Sequence, residues 1–429
     1  MAEKVQTSNF ENHRLTLKIV IALILGVSCG FLLKAAPDSA LANDFLLNGV
    51  IYIISKVFVS SLKMLVVPLV FVSLVCGVVN LENLSKLGSL GSKTLSLYLV
   101  TTAMAITLAL GLASFVGPGT GFNLPSDLSF NPKNTPPLQD ILANIVPSNP
   151  VKSAAEGNML QIIFFAILFG CGISMMGKSA QKVSAFFKEL NDVIMKVLEI
   201  LMWFAPYGVF ALICRVFATQ GFDAITPLIS YFLVVLTALL LHFFVSYPVI
   251  LSVLARVNPI LFLRKIRPTL MFAFSTASSN ATIPLTLKMV TDKLGVSKSV
   301  ASFTVPLGAT INMDGTAIMQ GAATVFIAQA YNIDIGLTGY LTVILTATLA
   351  SIGTAGVPGV GLITLAMVLR QVGLPVEGIG MIMGVDRLLD MTRTAVNIAG
   401  DATVSCIVAK SENKLDLDIY KSEELLKNS

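Results

Sequence analysis

The chain has 429 residues, 55% of them apolar and only 12% charged. Ordinary soluble domains are about one-quarter charged, so this composition excludes a water-coated globular enzyme and points to a protein of the bilayer. The net charge of +5 does not read as a nucleic-acid footprint, because the basic residues do not gather into one patch.

A hydrocarbon core of ~30 Å calls for about 20 consecutive apolar residues. Runs of that kind extend from Leu15 to Leu33, Phe45 to Val79 (interrupted by Lys56 and Lys63), Leu95 to Val116, Met159 to Met176 and Phe232 to Leu254. The first has Lys4 and Arg14 before it and Lys18 near its start, no small-residue cleavage site follows before the second run, and it reads as a retained helix. Gly117 to Asn158 is polar, rich in Pro, Gly and Asn, and belongs at an aqueous surface. Gly172 to Ser179 fits the phosphate-loop pattern GxxxxGK[ST], but it closes an apolar run where a nucleotide loop follows a strand, so no nucleotide partner is expected. From Val183 to Thr219 an amphipathic start (Lys188, Glu189, Asp192, Lys196) leads into an apolar stretch with Pro206, which predicts one slanted helix.

Arg256, Arg264, Lys265, Arg267, Lys288, Lys293 and Lys298 flank 256–300, whereas the loops at Asp38, Asp44 and Asp334 have few basic neighbours. By the positive-inside rule the basic side and the N-terminus are cytoplasmic. Cys29, Cys76, Cys171, Cys214 and Cys406 are scattered singly, and His13 and His242 are the only histidines. No disulfide framework, zinc site or His-based catalytic pair follows, and both histidines read as structural.

The second half departs from clean spans. Two apolar segments are broken by small and hydroxyl residues, at Ser275 to Pro284 and at Ser351 to Gly361. Backbone that leaves the helix at membrane depth must be buried in protein or line a wet cavity, so each break marks a candidate re-entrant hairpin. Each is followed by a helix with polar residues inside it, Asn312 to Thr316 and Asp386 to Asp401. The offsets from Ser278 to Asn312 and from Val357 to Met391 are both 34 positions, as an internal repeat would leave them.

The last long helix carries Asp386, Asp390, Arg393, Asn397 and Asp401 at relative positions 0, 4, 7, 11 and 15. At about 100° per residue these fall within roughly 80° of one another. Such a stripe must face protein or water. Asp314, Asp386, Asp390 and Asp401 against Arg387 and Arg393 leave two negative charges uncompensated, which cations or protons must supply. Oxygens of Asn312, Asp314 and Thr316 beside Gly315 suit sodium, with protonation of a carboxylate as the alternative. Arg393 offers a fork for a carboxylate, so the solute carries an acidic group. A membrane-embedded enzyme would need a base beside the hairpin serines, and none is placed there; an ion channel would have no use for the Asp390 and Arg393 pair.

The motifs Asn312-Met313-Asp314-Gly315-Thr316, Gly353-Thr354-Ala355-Gly356-Val357-Pro358-Gly359 and Asp390-Met391-Thr392-Arg393-Thr394 resemble those of the glutamate/aspartate transporter family of sodium- or proton-coupled symporters, over roughly Leu15 to Lys410. The resemblance implies an all-α membrane protein of eight transmembrane helices and two re-entrant hairpins with inverted repeats, acting as an inner-membrane homotrimer with both termini cytoplasmic. Its parts would be a tail and scaffold helices in 1–89, a transport-domain helix in 90–116, a polar loop and scaffold helices in 117–221, a transport domain in 222–413 and a cytoplasmic tail in 414–429. The transport domain would hold hairpins at about 258–291 and 337–372 and helices at about 296–331 and 376–411. By position, Arg393 would hold the side-chain carboxylate of an acidic amino acid and Asp390 its ammonium, with Thr316, Thr394 and Asn397 as further polar groups. Ser278, Ser279, Val357 and Gly361 would close over it. One sodium would use Gly308, Asn312, Asn397 and Asp401, a second Thr310, Ser351, Ile352 and Thr354, and a third Tyr98, Thr101, Thr102, Asn312 and Asp314, with Met313 between ions and substrate. Sodium, or a proton, is thus the coupling ion, and no other cofactor is implied. Within the family, having both Arg393 and Asp390 favours an acidic amino acid over a C4-dicarboxylate, and Asp401, where proton-coupled members tend to carry Asn, favours sodium; the alternative is a proton-coupled glutamate/aspartate or C4-dicarboxylate symporter. Archaeal relatives carry an Arg at the position of Ala277 and animal relatives one at Met391; this chain has neither.

Overall fold

Amides and carbonyls placed in hydrocarbon must find partners within their own segment, which makes helix the form for long apolar runs. The computed structural model describes residues 2–35, 41–80, 89–121, 145–352, 354 and 356–422. Among them all regular structure is helical apart from one isolated bridge, Val296 to Leu415. Five stretches of the described residues are long and apolar enough to cross a membrane: Leu17–Lys34, Asp44–Val79, Ser89–Val116, Met159–Trp203 and Gly221–Ala255.

Helix α1 (Ala2–Lys34) is followed by α2 (Tyr52–Asn80), entered through π-helical Leu41–Ile51, and by α3 (Ser89–Val116). The polar stretch after α3 includes 122–144, outside the described residues, and then a short helix α4 (Pro150–Glu156) capped by the Asn149 side chain. Helix α5 (Met159–Met176) takes in the first five positions of the phosphate-loop pattern, and Gly177–Ala180 form a 3-10 turn, so the match sits on helix.

The single slanted helix expected over 183–219 is two helices, α6 (Gln181–Trp203) and α7 (Ala205–Thr219). Pro206 explains the break: it lacks an N–H, and it occupies the first turn of α7, where none is needed. Helices α1 and α7 approach closely through Gly26 and Gly30. A Cβ on Gly30 would stand 2.7 Å from the Cys214 carbonyl oxygen, so only glycine permits this crossing.

Helix α8 (Ile225–Leu241) continues through π-helical turns to Ala255. The first broken segment is α9 (Pro259–Thr276) and α10 (Ser279–Asp292), packed on one another. They are separated by Ala277 in the left-handed region (φ 48°) and by Ser278, whose hydroxyl caps α10. The helix expected over 296–331 is itself interrupted: α11 (Lys298–Ile311) and α12 (Asp314–Ala330) flank non-helical Asn312 and Met313. The second broken segment is α13 (Gly336–Ser351) and α14 (Val360–Gln371), and it leads to the continuous α15 (Ile379–Ser411). Helix α15 lies at the centre, against α3, α7 to α12 and α14.

The chain then folds back on itself with a short helix α16 (Leu417–Lys421). Lys265, read from sequence as a topology charge, is buried at 1% exposure. Its ammonium donates to the carbonyls of Lys293 (2.9 Å), Ile419 (2.8 Å) and Tyr420 (2.7 Å). The Asp416 amide donates to the Gly295 carbonyl and the Ser297 amide to the Lys414 carbonyl, which clasps the base of the first broken segment to the end of α15. Nearby, Lys93 and Ser89 donate to Glu412 and hold its carboxyl below the usual glutamate value. That tie is present above the ordinary value of 4.5 and is lost as pH falls through the lowered one.

Lys265→Met keeps most of the stem but removes three hydrogen bonds, and each carbonyl left buried without a donor costs about 1–3 kcal/mol. The segment after Ser411 should then become cleavable in limited proteolysis followed by mass spectrometry. A cleavage pattern identical to that of the unaltered protein would show that the ammonium does not hold the clasp.

Candidate functional site

The stripe on α15 folds into one ion-pair chain. Arg393 donates from Nη1 to Asp386 Oδ1 (2.8 Å) and from Nη2 to Asp390 Oδ1 (2.7 Å), while Arg387 Nη1 reaches Asp390 Oδ2 (3.3 Å). All four side chains are buried, and two positive charges meet two negative ones. The pool of six charges counted in the sequence is therefore partitioned in space. This quartet balances itself, and the surplus rests with Asp314 and Asp401.

Those two carboxylates sit where α11 and α12 separate. Asp314 Oδ1 accepts from Thr102 (2.6 Å) and Thr101 (3.4 Å), and Oδ2 accepts from Tyr247 (2.8 Å) with His242 Nε2 at 3.3 Å. Asn312 Nδ2 donates to Asp401 Oδ1 (2.9 Å) and to the Asn397 carbonyl (3.1 Å). The Asn397 side chain accepts from the Gly315 amide (2.8 Å) and turns its own amide to the Met313 sulfur (3.4 Å). Gly308 lies so close to Asp401 and to the Tyr98 hydroxyl that any side chain there would collide with both, and Tyr98 itself donates to the Thr304 carbonyl (2.9 Å). Asn312 Oδ1 and Asp401 Oδ2 are buried with no hydrogen-bond partner among the described residues. A buried acceptor without a donor has the chemistry of a hard-cation ligand, and the set here is carboxylate, amide and hydroxyl oxygen.

The breaks of the two segments meet at one carbonyl. Gly356 O accepts from the Ser278 hydroxyl (2.8 Å) and the Asn280 amide (3.2 Å), with Ser279 packed alongside. Gly361, in the first turn of α14, faces Arg393: a Cβ there would lie 3.4 Å from Nη2 and from Thr316 Cγ2, and 3.2 Å from Met319 Cε. One turn on, Thr364 accepts a hydrogen bond from the Gln320 amide (2.8 Å), which ties α14 to α12.

The structure thus brings together Arg393, Asp390, Thr316 and Gly361; Gly308, Tyr98, Asn312, Met313, Asn397 and Asp401; and Thr101, Thr102 and Asp314. Val357 is half-buried at the break. The hydroxyls of Thr394, Thr310, Ser351 and Thr354 donate to carbonyls at or within four residues, at Asp390, Leu307, Thr348 and Ala350, and Ile352 is buried beside Ser351. Gly353 and Ala355 of the second motif lie outside the described residues. Sequence reasoning missed His242 and Tyr247. His242, expected to be merely structural, stands beside Asp314, and the only signal for it was a lone titratable residue in an otherwise apolar run.

Comparison with known proteins gives the chain its kin. The sodium:dicarboxylate symporter family matches residues 15–411. A proton/glutamate-aspartate symporter of Escherichia coli (strain K12) is 36% identical over 414 residues, 93% of this chain and 93% of that protein. A proton/sodium-glutamate symport protein of Bacillus caldotenax is 35% identical over 92% of this chain and 94% of its own. A C4-dicarboxylate transport protein of Bacillus subtilis (strain 168) is 32% identical over 94% of each. The match takes in both breaks, the unwound Asn312 and Met313 and every charge of α15, and the chain belongs to the sodium:dicarboxylate symporter family, integral membrane transporters and not enzymes.

Proposed function

We propose that this protein imports an acidic amino acid, glutamate or aspartate, together with sodium. The observation that carries this reading is the buried Asp386–Arg393–Asp390 chain. An acidic amino acid can enter it by exchange, its side-chain carboxylate taking the guanidinium and its ammonium taking Asp390, so Arg393 and Asp390 each trade one partner for another. A dicarboxylate without the ammonium has nothing for Asp390, and a neutral amino acid has nothing for Arg393.

Such a ligand brings one net negative charge to a centre already carrying Asp314 and Asp401. Sodium supplies the balance, and Asn312 Oδ1 and Asp401 Oδ2 are the orphaned oxygens that would meet it. Thr310, Ser351, Ile352 and Thr354 would hold a second ion and Tyr98, Thr101, Thr102, Asn312 and Asp314 a third, as the family resemblance implies. Ion and ligand couple because both favour the closed state, in which the breaks join at Gly356.

In this reading the protein has eight membrane spans with α9/α10 and α13/α14 as two re-entrant hairpins, both termini cytoplasmic, and assembles as a trimer in the inner membrane. A mobile body of α3, α8 and α9 to α15 moves against a scaffold of α1, α2 and α4 to α7, exposing the site alternately to each side. Lys63 of α2 and Glu377, just before α15, form an ion pair across that boundary, which each transport cycle has to break. Entry of one net positive charge is driven by about 2.3 kcal/mol per 100 mV.

Proton coupling is the second reading, favoured by His242 beside Asp314 and by the name of the Escherichia coli relative. Purified protein in liposomes, given labelled aspartate, separates the two. Replacing external sodium by choline should reduce uptake more than tenfold; uptake that survives this but collapses when a proton gradient is dissipated belongs to the proton reading. Arg393→Cys should lower aspartate uptake at least a hundredfold while admitting serine or alanine. Ordinary aspartate uptake by that variant would overturn the acidic-ligand assignment. Because one broken buried pair costs about 3–5 kcal/mol, its melting temperature should fall as well.

A further inference from the structure

Two buried polar atoms around the α15 quartet have no hydrogen-bond partner among the described residues, Arg393 Nε and the Tyr231 hydroxyl. A buried O–H without an acceptor is rare, because desolvation removes its water and nothing replaces it. Tyr231 is fully buried on α8, which packs against both α12 and α15. Its ring is fixed against Phe326 of α12, with centroids 5.1 Å apart. The hydroxyl therefore has little freedom beyond its own torsion. Among charged groups, the Asp386 carboxylate and the Arg393 guanidinium act electrostatically on it.

The two carboxylates of the quartet are not equivalent. Asp390 is shared between Arg393 and Arg387, so it keeps a cation when Arg393 turns to something else. Asp386 is held by Arg393 Nη1. An anionic ligand arriving at the guanidinium displaces Asp386 into an interior where another donor has to receive it.

We propose that Tyr231 is a positioning residue of the ligand site, whose hydroxyl receives the Asp386 carboxylate when the ligand's carboxylate claims Arg393. The inference rests on the reading of Arg393 as the ligand's carboxylate receiver. It explains why a donor is left idle in this state: its acceptor is engaged elsewhere until ligand binds. An O–H to carboxylate hydrogen bond is of the charge-assisted kind, so its loss weakens ligand binding without touching the empty protein.

Tyr231→Phe in the full-length protein tests this through two readouts. The melting temperature without ligand should stay level or rise, since a bond-less hydroxyl is removed. The dissociation constant for aspartate, by calorimetry at saturating sodium, should weaken about ten- to one-hundred-fold. In an Asp386→Ala background, where the acceptor is gone, adding Tyr231→Phe should change the constant less than twofold. An unchanged constant for the single variant overturns the proposal, as does a further tenfold loss in the Asp386→Ala background, or a lower melting temperature without ligand. An unaltered chain that binds neither glutamate nor aspartate overturns the ligand reading itself, and this inference with it.

Discussion

The burial of Arg393 organises the second half of the chain. A guanidinium at 1% exposure cannot exist in a membrane protein without counter-charges, and the helix supplies both from its own face at i−3 and i−7. Asp390 is in turn bound by Arg387, so the charges form a chain along one helix. Everything that packs on α15 has to accommodate this polar ridge. Glycine at Gly361 and Gly315 keeps neighbouring backbone close to Arg393, and Gly361 sits against Thr316 and Met319 as well.

A second constraint lies where helix is absent. Asn312 and Met313 leave the helical path between α11 and α12, and α15 holds the break: the Asn312 side-chain amide donates to the Asn397 carbonyl and to Asp401, and the Asn397 side chain accepts from the Gly315 amide. The unwound residues are thus stitched to the helix that carries the ion pairs. Asp314 is held from the other side by α3 and α8. Asp401 stands eight positions, about two turns, from Arg393 on α15, and the Tyr247 hydroxyl lies between Asp314 and the Val396 carbonyl of the same helix.

Much of this was legible in sequence where a local rule carried it. The 3.6-residue spacing placed Asp386, Asp390, Arg393, Asn397 and Asp401 on one face, and hydroxyl and small residues marked the breaks at Ala277 and beyond Ser351. Three-dimensional assignment was not legible. Charge counting could not say that Arg387 and Arg393 serve Asp386 and Asp390 while Asp314 and Asp401 stand apart, because partition depends on which helices touch. Tyr247 and His242 reach Asp314 across 67 and 72 residues from an apolar run with no periodic polar pattern. Pro206 was visible, but whether it would bend or end the helix depended on its packing. Gln320 and Thr364 sit on different helices, and only their meeting makes either informative.

The Lys265 clasp has a consequence for how the chain is made. Its ammonium depends on carbonyls of Ile419 and Tyr420, which are 154 and 155 positions downstream. At about 5–20 residues per second, roughly 8 to 30 s separate synthesis of the lysine from that of its acceptors. Until then α9 carries a cation destined for burial with two of its three partners unmade, so the burial of Lys265 seen here is satisfied only once Ile419 and Tyr420 have been added. The carbonyls of α16 complete the set of acceptors, and a chain cut short before Ile419 would leave the lysine with one of its three.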